Sequence, residues 1–170
     1  MTDYCANGWT VVSPAGTKWW TLPGTDRRIQ LRKGPTGLVL MHWTLWWHEE
    51  IESLLDGYLD EAGYSMRVIA GTNVYSNHAG GMAVDLNWTR HPRGEQASAD
   101  FTPAQIDKVH RALEARYTVD GVPVLRWGGD WTNPDVMHTE VGPGVTPTVL
   151  DALRDALLLT ARGQRLAGQV

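Results

Sequence analysis

Three stretches of the chain repeat apolar residues with a helical period. Leu40, Trp43, Trp47, Ile51, Leu54 and Tyr58 fall three or four apart, which predicts a helix over 36–57 ending at Gly57. Ile106, Val109, Leu113 and Tyr117 mark a second helix over 102–117. Thr102-Pro103-Ala104-Gln105 opens it as an N-cap, a proline at the first position and a capping box. Leu150, Leu153 and Leu157 mark a third after Thr146-Pro147, with Gly163 as its stop and residues 163–170 as a frayed tail. Elsewhere the rhythm is strict alternation, the signature of half-buried strands, at 28–32, 64–70, 82–86 and 137–141. Residues 1–27 hold two turn signals, Ser13-Pro14-Ala15-Gly16 and Leu22-Pro23-Gly24-Thr25, and read as an arm laid over the rest. Short strands mixed with helices, without repeats or linkers, predict one α+β domain over 1–170, a small mixed or antiparallel sheet backed by helices.

Two of the alternating stretches carry chemistry. His78 and Asp85 are seven residues apart, too far for one helix and on opposite faces of one strand. Gly80-Gly81 between them supplies φ > 0 and lets the chain turn, so that Asp85 looks back at His78. In 82–86, Met82, Val84 and Leu86 point inward while Ala83 and Asp85 face the site. A third ligand comes from Asp135-Val136-Met137-His138-Thr139-Glu140, where His138 and Glu140 share one face. His78, Asp85 and His138 leave one tetrahedral position open, as a catalytic zinc requires, and Asp135 stands close enough to serve as general base. Asp130 and Glu140 compete for that role, and Glu140 could equally orient a ligand from behind. Ser76 has no nucleophile elbow around it and is read as a turn or supporting hydrogen-bond residue.

The pattern Ser76-x-His78-x-x-Gly81-x-Ala83-x-Asp85, followed by Asp135-x-x-His138-x-Glu140, resembles the zinc D-alanyl-D-alanine carboxypeptidase / L-alanyl-D-glutamate endopeptidase family. Arg67-x-Ile69-x-Gly71 and Trp127-Gly128-Gly129-Asp130-Trp131 are similar to its phage endolysin branch, and the likeness spans about 28–142. It implies a hedgehog/DD-peptidase-like fold, one Zn2+ held by His78, Asp85 and His138, Asp135 as catalytic acid/base, and Arg67 near the substrate carbonyl or a carboxylate. It also implies a stem peptide of bacterial peptidoglycan as substrate. Thr139 departs from the pattern, which usually has an aromatic residue there.

Composition narrows the field. A net charge of −4 argues against a nucleic-acid partner, and no stretch approaches the length of a membrane span. The single Cys5 forms no internal disulfide. Nine Trp stand against one Phe; Trp127 and Trp131, among glycines, are assigned to the cleft, and Trp19-Trp20 to packing. The N-terminal residues lack a signal peptide's basic and apolar regions, so a monomeric enzyme made in the cytoplasm and released to the wall by a holin-type protein is expected. His42 and His48, beside Glu49 and Glu50, are read as packed or solvated helix residues, and the arginines of the 87–94 loop as able to meet acidic substrate groups. The rivals are a D,D-carboxypeptidase or dipeptidase with the same ligands, and a non-catalytic zinc-containing wall-binding module.

Overall fold

The structure, a computed structural model, describes residues 3–170. In chain order the elements are β1 (Thr17–Thr21), β2 (Arg28–Arg32), α1 (Pro35–Glu50), β3 (Ala83–Asp85), α2 (Ala97–Asp100), α3 (Pro103–Arg116), β4 (Thr118–Val119), β5 (Val122–Pro123), β6 (Leu125–Trp127), β7 (His138–Val141), α4 (Pro147–Leu158) and α5 (Ala161–Leu166). Every strand pair is antiparallel: β1 with β2, β4 with β5, and a three-stranded sheet in the order β3-β7-β6. Among the described residues the fold is α+β, with three small sheets rather than one.

Helix α1 is the centre of the core. Every residue from Thr36 to Trp47 is buried, because the run from Leu38 to Trp47 is apolar around most of the helix rather than along one stripe. It packs on α4, α5, β2 and β3. Trp43, Trp46 and Trp47 gather aromatic neighbours about them, with Tyr117 5.2 Å from Trp43, Phe101 5.5 Å from Trp47 and Trp127 6.1 Å from Trp47 between ring centroids. No helix among the described residues is long and apolar enough to cross a membrane.

The helix stops at Glu50, not Gly57, and Tyr58 is exposed. The residues after it have better partners off the helix: Glu52 accepts from Trp47 Nε1 at 3.1 Å, and the Leu54 amide donates to His48 Nδ1 at 3.0 Å. His42 is buried inside α1, hydrogen-bonded to the hydroxyls of Tyr117 at 2.9 Å and Thr160 at 3.2 Å. Both histidines are thus structural.

Three further expectations are corrected. Part of the N-terminal arm is a strand, β1, whose alternation buries Trp20 and exposes Trp19; only Trp20 packs. Residues 64–70 form no regular strand. Their amides and carbonyls are divided among Gln30, His78, Val74 and Ser76, so no single ladder forms, and Met66 and Val68 face solvent. The C-terminal tail is docked rather than frayed. Thr160 caps a new helix, α5, in which Gly163 and Leu166 are buried, and Arg162 pairs with Glu49 and Glu50. Gln169 then bonds the backbone of Thr21 at 2.7 and 2.8 Å.

Candidate metal centre

His78 lies in the short 3₁₀ turn Asn77–Gly80, whose N-cap is Ser76; the Ser76 hydroxyl accepts from the His78 amide at 3.3 Å. The Ser76 side chain thus bonds the turn that carries His78. Gly81 ends the turn at φ +63, with no space for a side chain against the Arg32 backbone. Of the glycine pair, only Gly81 needs the left-handed conformation. The chain then enters β3, where Asp85 sits directly across from His138 of β7. Directly opposed residues of an antiparallel pair place their side chains on one face, which brings carboxylate and imidazole together.

The three groups converge. His78 Nε2 is 3.2 Å from Asp85 Oδ2 and 3.3 Å from His138 Nδ1, and His138 Nδ1 is 2.7 Å from Asp85 Oδ1. Among the described residues, these are three possible ligands whose atoms all lie within 4.8 Å of one another. Ligands about 2.0–2.1 Å from a tetrahedral zinc stand roughly 3.3–3.4 Å apart, so two edges of the triangle already match and the third would open slightly. The outward nitrogen of each imidazole is also occupied. His78 Nδ1 donates to the Gly63 carbonyl at 2.5 Å, and His138 Nε2 donates to Glu140 Oε2 at 3.0 Å. Once the proton on His138 is displaced, each inward nitrogen would present its lone pair to the same point, the support that metal-binding histidines ordinarily have. By distance, donor type and tautomer, these residues fit a zinc ion.

Electrostatics agree. Burial favours a neutral His138, but hydrogen bonds and charge from Asp85 and Glu140 outweigh it and lift the imidazole to about 9. Burial opposes ionisation of Asp85 and Glu140 as well. The two histidines nevertheless hold Asp85 far below the usual carboxylate range, and His138, Arg126 and Asn77 bring Glu140 down to about 2. The pocket is built to stabilise positive charge.

Asp135 is placed differently. It is buried, and its Oδ1 has no hydrogen-bond partner. Burial, the largest influence, raises its pKa despite the pull of His138 and Arg93. Its loop closes against Gly128, where the Asp135 amide donates to the Gly128 carbonyl at 2.9 Å and a Cβ on Gly128 would collide with the Asp135 carbonyl. Asp135 lines the cleft, and a carboxylate with an unpartnered oxygen there is what a proton acceptor for a substrate or water needs.

Of the remaining sequence candidates, Arg67 reaches the site, 3.7 Å from Asp85 Oδ2. Glu140 is the partner behind His138, not a base facing open space. Trp131 lines the cleft, its ring 5.1 Å from that of His138, and so supplies the aromatic neighbour that Thr139 does not. Trp127 belongs to the core instead: it is 2 % exposed, with Nε1 donating to the Val136 carbonyl at 2.8 Å, because β6 alternation turns it inward. Asp130 pairs with His110 on the surface at 2.8 Å and does not face the triangle, which removes it as a candidate base.

The sequence reading missed Asn77, whose Nδ2 donates to Glu140 Oε2 at 2.6 Å while its Oδ1 accepts from the Asn7 amide at 2.9 Å. It also missed Arg126, which is paired with Glu140, and the Gly63 carbonyl. Asn77 sits inside the motif, but only the fold shows that it faces Glu140. The cleft has a volume of about 390 Å³ and is lined by Arg67, Trp131, Asp135 and His138 among others. A larger hollow of about 610 Å³, between α1, α3, α4 and α5, lies elsewhere, and Arg162 and Arg165 there pair with Glu49.

Residues 70–141 match a family model described as D-alanyl-D-alanine carboxypeptidase. The matched stretch contains His78, Asp85, Asp135 and His138, the residues on which the motif resemblance rests. Neither the curated proteins nor the solved structures returned a match.

Proposed function

We propose that this chain is a zinc peptidase that hydrolyses a peptide bond in the stem peptides of bacterial peptidoglycan. One observation supports it above the rest: two imidazoles and a carboxylate converge with their outer atoms already bonded, beside a buried carboxylate oxygen that has no partner. His78, Asp85 and His138 would hold the ion. Bound zinc supplies a Lewis acid for the scissile carbonyl and acidifies water toward a pKa of about 7.

The chain's own groups do the rest. Asp135 takes a proton from the attacking water and passes it to the leaving amine as the carbon–nitrogen bond breaks. Its burial suits the exchange, because a raised pKa makes the carboxylate a better base and keeps the acid form within reach. Arg67, half-exposed beside Asp85, faces the oxygen that gains charge or a neighbouring carboxylate. Glu140, braced by Asn77 and Arg126, keeps the His138 ring from turning.

Within this reading we favour an endolysin-type endopeptidase, cutting the L-Ala–D-Glu bond or a crosslink and reaching the wall through a holin-type release. The motif of Trp127, Gly128, Gly129, Asp130 and Trp131 supports that branch. The description of the matching family model favours the second reading, a carboxypeptidase that trims D-Ala ends. Mass spectrometry of products from crosslinked peptidoglycan and from free D-Ala-D-Ala peptides distinguishes them. Release of terminal D-Ala alone rejects the endopeptidase. Turnover that survives a chelator, or that zinc fails to restore, rejects the metallopeptidase.

A further inference from the structure

Beyond the triangle and Asp135, the cleft wall carries three guanidiniums, from Arg67, Arg93 and Arg126. The chain as a whole is acidic, with 15 Lys and Arg against 19 Asp and Glu, so this is a local reversal. Each guanidinium stands against one carboxylate of the site: Arg67 at 3.7 Å from Asp85, Arg93 Nε at 3.9 Å from Asp135, and Arg126 through Nη2 on Glu140. Three arginines and three carboxylates cancel. A divalent ion held by neutral histidines would then leave the cleft with a net positive charge, which draws in anions.

Two of the three have donors to spare. Arg93 makes no hydrogen bond among the described residues and only a loose ion pair, and its side chain is 49 % exposed. Arg126 uses Nη2 on Glu140, which leaves Nε and Nη1 without a hydrogen bond among the described residues, and its guanidinium lies 6.0 Å from the centre of the Trp131 ring. The backbone beneath each is held in place before any ligand arrives. Arg93 rides on a loop pinned by the Gly94 amide donating to the Pro134 carbonyl at 2.7 Å, and by buried His91 bonded to Glu52 at 2.8 Å and to Asp100 at 2.9 Å. Arg126 stands on β6 in the central sheet. Guanidiniums carried on a fixed backbone match carboxylates with two parallel donors. Arg90, the other arginine of the same loop, bonds the Asp56 carbonyl instead and turns away from the cleft.

We propose that Arg93 and Arg126 are specificity-determining residues, each taking one carboxylate, so that the preferred substrate is a peptide that carries two free carboxylates. The proposal rests on the peptidase reading and names which peptides that site selects. Masking either carboxylate as an amide removes the charge and half of the acceptors while changing size very little.

The test uses the synthetic peptide L-Ala-γ-D-Glu-L-Lys-D-Ala-D-Ala in four forms: both carboxylates free, either one amidated, and both amidated. Binding is measured by calorimetry on the full-length, zinc-loaded Asp135→Asn protein, alone and combined with Arg93→Gln or Arg126→Gln; melting curves confirm that the exposed-site variants remain folded. Each amidation is expected to weaken binding about tenfold, the order of one charge-assisted contact on a half-exposed group. Arg93→Gln should erase the discrimination at one carboxylate and Arg126→Gln at the other. Equal affinity for the four forms, or discrimination that both arginine variants keep, overturns the proposal. Because binding is read without turnover, a wild-type protein that cleaves nothing would defeat the peptidase reading and leave this measurement standing.

Discussion

Glu140→Gln isolates what the carboxylate behind His138 contributes. Glu140 Oε2 accepts from His138 Nε2 at 3.0 Å and from Asn77 Nδ2 at 2.6 Å, and its other oxygen takes Arg126. Glutamine keeps the shape and one acceptor, so the fold should survive and the charge alone is lost. Two effects then oppose each other. Losing the anion behind a ligating imidazole weakens zinc binding about 10–100-fold, or roughly 1.4–2.7 kcal/mol. The same anion, with Asp85, overcomes burial and raises His138 to about 9. At pH 7 the ion-free protein therefore carries a proton there that zinc must displace, at a cost of about 2.7 kcal/mol for two pH units.

Removing Glu140's charge relieves part of that competition. The deficit of the variant should be complete near pH 9.5 and shrink toward pH 7. Competition against a chromophoric chelator at both values gives the affinities, and weakly buffered titrations give the protons released. Wild type should release about one proton per ion at pH 7. Equal affinities at pH 9.5, or a deficit that widens on acidification, refutes the assigned role of Glu140.

Asp135→Ala should abolish turnover while metal analysis still finds zinc bound; loss of both together with the fold would mean that Asp135 is structural. Trp127→Ala removes a buried ring packed on Trp47 and Phe101 and should cost about 3–5 kcal/mol in denaturant unfolding; a loss near zero would return Trp127 to the cleft wall. Burial lowers His42 from 6.5 to about 4, so the unfolded chain takes up that proton first. Stability contributed by the neutral ring is complete above pH 6.5 and falls by roughly 3 kcal/mol as the pH drops toward 4. The slope of unfolding free energy over that window should flatten in His42→Gln, and an unchanged slope would contradict the assignment.

The metal triangle was legible because its ligands are of uncommon types at spacings no regular element satisfies, with a glycine pair to break the regularity. Alternation at 137–141 placed His138 and Glu140 on one face, which β7 has. The rest needed tertiary partners. Glu140 could not be ranked as base or support until Asn77 and Arg126 were seen to bond it. Trp127 looked like a cleft residue because glycines and Asp130 follow it, but its strand parity turns it onto Trp47. The length of α1 was overestimated because a threefold and fourfold spacing runs on through Leu54 and Tyr58, whereas Glu52 and the Leu54 amide bond partners that a helix would deny them. Periodicity reports which side chains can share a face, not where a backbone finds a better bond.

The arrangement of the site follows from that same division between core and loops. Asp85 and His138 are held by β3 and β7, short strands whose register admits one pairing, and β3 rests on a helix with no exposed face along its first three turns. A slip of β3 by one residue would turn Asp85 into the core and drive Val84 and Leu86 out of it, so the core resists it. Asp135 and Arg93, by contrast, stand on loops joined by one backbone hydrogen bond between Gly94 and Pro134. Metal affinity should therefore tolerate substitutions in 87–94 that alter turnover and substrate choice. Substitutions in the α1 core should do the reverse, weakening the triangle and the fold together.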